Sequence, residues 1–151
     1  MDASAAILPQ TINLSAIHHY GLAIRNLEET LKWYQEKLDF KVFRSFDAPD
    51  NSLKIRIINH GQILIELLSQ ADTATDKSAA PDVKAAALFV SGAKHLAFKV
   101  SSVQNVFDEL QKRGVEFVTE PVYSPDLEIR YCHFKDNEGN LMEIVEDVSP
   151  A

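Results

Sequence analysis

Apolar and polar positions follow one program twice along this chain. The segments IHHYGLAIRNLEETLKWYQEKLDFKVF and KHLAFKVSSVQNVFDELQKRGVEFV each begin with a histidine and an alternating apolar run, then turn to helical periodicity. In the first, Tyr20, Leu22 and Ile24 share one face of a strand, opposite His19, Gly21 and Ala23. In the second, Leu96, Phe98 and Val100 oppose His95, Ala97 and Lys99. Leu27, Leu31, Tyr34 and Leu38 then make one helical stripe, and Val103, Val106, Phe107 and Leu110 make its counterpart. Asn26 with Glu29 has capping-box spacing, and Gly114 suits the left-handed position that ends a helix.

Each helix is expected to feed a strand, over 40–43 and over 114–118. Two further strands close each half. In the first they are 52–59 and 62–69, joined by His60-Gly61; in the second, 128–134 and 141–146, joined by the turn-forming KDNEGN. Both halves read β-α-β-β-β, and His95 and Glu143 follow His19 and Glu66 by 76 and 77 residues. The chain is therefore an internal duplication of α+β class. The expected layout is a tail over 1–15 and one domain over 16–149. Within that domain the modules cover about 16–69 and 94–147. An Ala/Ser/Thr/Asp-rich connector over about 70–93 separates them, with room for a short helix at 82–89.

Alternation puts Glu66 on a face with Leu64 and Leu68, and Glu143 on a face with Leu141 and Val145. Both strands are apolar on both faces, so both are expected to be covered on both sides. A carboxylate there is costly unless a cation or hydrogen bonds compensate it. Pairing the two halves would gather His19, Glu66, His95 and Glu143. Such a His₂Glu₂ set suits one divalent ion of zinc, nickel, cobalt, manganese or iron. An octahedral ion would keep two neighbouring positions for a substrate.

Composition narrows the partners. The net charge of −7 argues against nucleic acid and against an anionic membrane surface. No apolar run approaches the ~20 residues a membrane-spanning helix needs. Cys132 is the lone cysteine, so no disulfide framework is available and a reducing, cytoplasmic setting is expected. On its apolar strand it reads as a small buried hydrophobe. Trp33 and Tyr34 read as packing residues. His18 is expected to face the helix-covered side, His60 and His133 to be structural, and Glu128, Glu138 and Glu146 to be solvated charges.

With HYGLAIRNLEETLKWYQEKLDF, LIELLS, KHLAFKV and FKDNEGNLMEIVE in place over most of 17–147, the chain resembles the vicinal oxygen chelate superfamily. That group includes glyoxalase I, methylmalonyl-CoA epimerase, fosfomycin-modifying thiol transferases, extradiol dioxygenases and bleomycin-binding proteins. The resemblance implies two βαβββ modules whose eight strands form a cup, with helices outside, around one divalent metal. It implies His19, Glu66, His95 and Glu143 as its ligands. It further implies a homodimer acting on a small molecule, as an isomerase, epimerase or lyase that shuttles a proton. Glu143 would be the main base, with Glu66 on the opposite face. The alternatives are a non-catalytic drug-binding protein and an extradiol-type dioxygenase. Ala23 stands where glyoxalase I places an arginine for glutathione, Lys94 precedes the second histidine, and no residue marks coenzyme A. Ile57, Phe89 and Tyr131 are expected to line the cup.

Overall fold

Asn26 starts the first helix as its spacing predicts: its extended backbone (φ −121°) leaves the side chain free to accept the Glu29 N–H at 3.2 Å. The helix, α1 (Leu27–Leu38), stops at Asp39 in the left-handed region. Ser102 repeats the device for α2 (Val103–Lys112), and Gly114 takes φ 74° just beyond it. These elements belong to a computed structural model that describes residue 12, residues 14–70 and residues 92–148. Most of the expected tail, the short helix at 82–89 and Phe89 lie outside the described residues.

The strands are β1 (Tyr20–Ile24), β2 (Lys41–Asp47), β3 (Leu53–His60), β4 (Ile63–Gln70), β5 (Leu96–Lys99), β6 (Val122–Ser124), β7 (Ile129–Lys135) and β8 (Leu141–Asp147). They form two four-stranded mixed sheets, β1-β4-β3-β2 and β5-β8-β7-β6. In each sheet the opening strand lies parallel to the closing one and the other neighbours are antiparallel. The α+β duplication is therefore present, with both copies wired alike. One strand differs from expectation. Residues 114–118 contribute only an isolated bridge, Phe117 to Phe134, and the paired strand is β6, opposite Tyr131. Phe117 holds that bridge while its ring packs on Phe107 of α2, 4.4 Å away.

One core serves both halves. Leu22, Ile24, Ile58, Ile65 and Leu67 from the first sheet join Cys132, Phe134, Met142 and Ile144 from the second, with Leu27, Tyr34, Val103, Phe107 and Leu110 from the helices. The helix-facing sides of both sheets thus lie in a single apolar interior. The other sides are unequal. On β8, Leu141 and Glu143 are buried like their neighbours, whereas Leu64, Glu66 and Leu68 on β4 are only half-buried. The two-sided covering expected of both strands holds for β8 alone. Outer strand β2 is exposed throughout, including Val42, Phe43 and Phe46.

Polar side chains fix how the halves meet, and here loop charges read as solvated turn out to be structural. Glu138, in the β7–β8 turn, accepts the backbone N–H groups of Arg25 (3.1 Å) and Asn26 (3.0 Å) and the Arg25 Nε–H (2.9 Å). Its side chain is 9% exposed. Glu146 accepts the Val103 N–H and pairs with Arg130 at 2.7 Å, a second correction of the same kind. Beside Glu138, buried Asp136 accepts the Tyr34 hydroxyl at 2.9 Å, and Asn137 donates to Thr30 at 3.0 Å. Burial raises the Tyr34 hydroxyl pKa well above its usual range, and the Asp136 charge adds to it.

Burial pushes the Glu138 carboxyl up, but Arg25 and the two backbone donors outweigh it and hold the carboxyl below its ordinary value. Because the folded-state value is depressed, its contribution is present above the ordinary carboxylate range and lost as pH falls through the folded value. Glu138→Gln should therefore cost about 1–2 kcal/mol at pH 7 and flatten the acid side of the stability curve. Urea melts between pH 7 and pH 3 check this; parallel curves for the two proteins would remove Glu138 from the latch.

Candidate metal centre

The register of each sheet brings a histidine onto a glutamate. Gly21 of β1 pairs with Glu66, and Ala97 of β5 pairs with Glu143. A small residue at each point leaves the carboxylate room. A Cβ on Gly21 would already reach within 3.8 Å of Glu66 Oε2. The histidine two residues before each small residue then arrives over the carboxylate. His19 Nε2 lies 3.4 Å from Glu66 Oε2, and His95 Nε2 lies 2.7 Å from Glu143 Oε2. Both pairs occupy the sheet face turned away from the helices, because their strand neighbours Leu22, Ile65, Met142 and Ile144 fill the core.

The structure thus brings the four sequence-derived residues together two by two. They do not make one cluster. Among the described residues, the group whose donor atoms all lie within 4.8 Å of one another is His95, His133 and Glu143. His133, read from sequence as structural, sits directly across from Glu143 in the β7–β8 ladder, with Nε2 3.2 Å from Oε2. Its counterpart across from Glu66 is Ile57, so comparing the repeats hides it. Alternation of Tyr131, His133 and Lys135 along β7, set against Glu143 on β8, was the signal that could have found it.

Other histidines differ from expectation as well. His18 is exposed, not turned to the helices, and its Nδ1 meets His19 Nδ1 at 2.7 Å. Neither residue is inside the strand, which begins at Tyr20, so alternation does not bind them. His60 ends β3 at the surface with its ring 5.7 Å from Phe40, in keeping with a structural role. Cys132 is fully buried, and burial together with the Glu143 charge pushes its thiol up to about 12, which leaves no thiolate for nucleophilic work.

The donor chemistry fits a divalent cation. Imidazole nitrogen and carboxylate oxygen suit zinc and its first-row neighbours, whose bonds of ~2.0–2.2 Å put adjacent donors about 2.9–3.4 Å apart. The separations of 2.7, 3.2 and 3.4 Å lie close to that range. Glu143 is 7% exposed, and its ion-pair partners among the described residues are the two imidazoles. A carboxylate so enclosed needs hydrogen bonds or a cation to offset its burial, and both imidazoles lie within reach of it.

Comparison with known proteins agrees with this architecture. Protein YwkD of Bacillus subtilis is 29% identical over 135 residues, which is 88% of this chain and 98% of that one. A glyoxalase family protein from Enterococcus faecalis superposes with a TM-score of 0.72 at 23% identity, covering 87% of this chain and 98% of its own. A glyoxalase I variant from Zea mays gives 0.68 at 17% identity, covering 87% of this chain and 47% of its own; both superpositions speak for the fold. Among the described residues, no helix is long and apolar enough to cross a membrane. The family model described as "Glyoxalase/Bleomycin resistance protein/Dioxygenase superfamily" matches residues 16–144, and with the duplicated βαβββ units this places the chain in that superfamily.

Proposed function

We propose that the protein is a divalent-metal-dependent, cytoplasmic enzyme of the isomerase, epimerase or lyase kind. It would act on a small molecule that presents two adjacent oxygens. His19, Glu66, His95 and Glu143 would hold the ion. The observation that carries this reading is the matched His–Glu contact at the same register point of both sheets, on the face away from the core.

Two separate pairs in one chain are what a site completed by a second copy requires. The first half of one chain would face the second half of another, which makes the active form a homodimer. Exposed apolar side chains on β2 and β6, Val42, Phe43, Phe46, Val122 and Tyr123, support such a partner surface.

When bound, the cation supplies a Lewis acid that favours ionisation of a carbon beside a chelated carbonyl. The work of moving the proton falls to the chain. Glu143, enclosed and held by His95 at 2.7 Å, is placed to take a proton from that carbon and return it. Glu66, half-buried, would serve the opposite face.

Metal analysis of protein purified without chelator tests the reading. About one divalent ion per site should be found, and His95→Ala should lose it. Sedimentation should give a dimer. Protein that holds no metal, and whose His95→Ala variant folds and melts unchanged, would instead be a small-molecule binder on this scaffold.

A further inference from the structure

The two halves are not equivalent. Across from Glu66 stands Ile57; across from Glu143 stands His133. His19 and His95 are alike at 37% and 36% exposed, but Glu66 is 24% exposed whereas Glu143 and His133 are 10% and 12% exposed. His133 is also pinned. Its N–H donates to Thr119 Oγ1 at 2.9 Å, and its carbonyl accepts from Val118 at 2.8 Å. The His95 and Tyr131 rings abut its imidazole edge-to-face at 5.2 and 5.5 Å. One of its nitrogens faces Glu143, while Nδ1 is buried with no protein partner. Nε2, and not the enclosed Nδ1, is therefore the His133 atom that a cation beside Glu143 and His95 would meet.

We infer that the second half alone is a loading site for a divalent cation, with His95 Nε2, His133 Nε2 and Glu143 Oε2 as its three ligands. This rests on the metal reading above and goes beyond it in naming a ligand and an order of assembly. Two imidazoles and one carboxylate would leave a divalent cation with positions open to further ligands. Those positions are where His19 and Glu66 of a second copy arrive. In the assembled site His133 would be the additional ligand, the one the four-ligand reading does not use. It keeps the ion in the chain until the first half of a partner closes over it.

Co²⁺ titration, read by its visible absorption, and equilibrium dialysis with Zn²⁺ test the inference on the full-length protein. Wild type and the His19→Ala/Glu66→Ala double variant should each bind one ion per chain. Adding His133→Gln to the double variant should weaken binding on the order of 100-fold, with far-UV circular dichroism unchanged. His133→Phe, which keeps a ring against Tyr131, serves if the glutamine variant misfolds. Binding lost already in the double variant overturns the loading site and leaves the four-ligand reading standing. Binding unaffected by either His133 change overturns His133 as a ligand. A wild-type chain that takes up no ion removes both. Should neither His133 variant fold, the stoichiometry of the double variant decides.

Discussion

Asp136→Ala is expected to destabilise the protein by about 3–5 kcal/mol, since several donors lose their shared acceptor at once. Asp136 is 6% exposed and holds four donors at once: the Tyr34 hydroxyl, the N–H groups of Glu138 and Asn140, and the Asn140 amide. Burial pushes its carboxyl above the ordinary range, against the pull of those hydrogen bonds from Asn140, Tyr34 and Glu138. Alanine leaves the buried Tyr34 hydroxyl and the part-buried Glu138 and Asn140 donors without their acceptor, and the losses add to a cavity. The Glu138 latch belongs to the same turn and should loosen with it. Tyr34→Phe removes one of the four bonds and should cost about 1–2 kcal/mol. Asp136→Asn, which keeps one acceptor oxygen, should fall between the two. Urea melts at pH 7 give all three values; an alanine variant within 1 kcal/mol of wild type would show the network to be ornamental.

Glu143→Gln is expected to abolish exchange of solvent deuterium into an accepted substrate, a loss of at least about 100-fold from the removal of one general base. Glutamine keeps the shape and one acceptor oxygen, so folding should be preserved. Its amide cannot take up a proton at neutral pH, and it is a poorer ligand than a carboxylate. Metal content measured on the same sample separates the two effects. Loss of exchange with the ion retained assigns Glu143 to proton transfer. Loss of both makes its ligand role dominant. Full exchange in the variant removes Glu143 from the mechanism and leaves Glu66 as the base.

Much of the architecture is legible because it rests on local periodicity. The alternation of Tyr20, Leu22 and Ile24 and the stripe of Leu27, Leu31, Tyr34 and Leu38 need only neighbouring residues to be read, and β1 and α1 follow them. The 76–77-residue offset of the His and Glu positions is likewise a property of the string. What failed depends on distant partners. The segment 114–118 keeps one bridge, at Phe117, whose ring packs on Phe107 of α2. Glu138 looks like an ordinary turn charge until the start of α1 is brought to it, 112 residues away in sequence. His133 escaped for a different reason: a duplication argument keeps only residues present twice, and this one occurs once.

The amino-acid sequence by itself determined the doubled βαβββ plan, the types of donor atom, and the presence of one histidine and one glutamate at matched positions in each copy. Short-range alternation and spacing set all of these. Only the tertiary structure decided that the four donors stand as two separate pairs, that His133 joins the second, and that Glu143 is the buried carboxylate of the two. Those outcomes follow from strand register and from which sheet face is left open. Both depend on contacts between residues far apart in the chain, where periodicity carries no information.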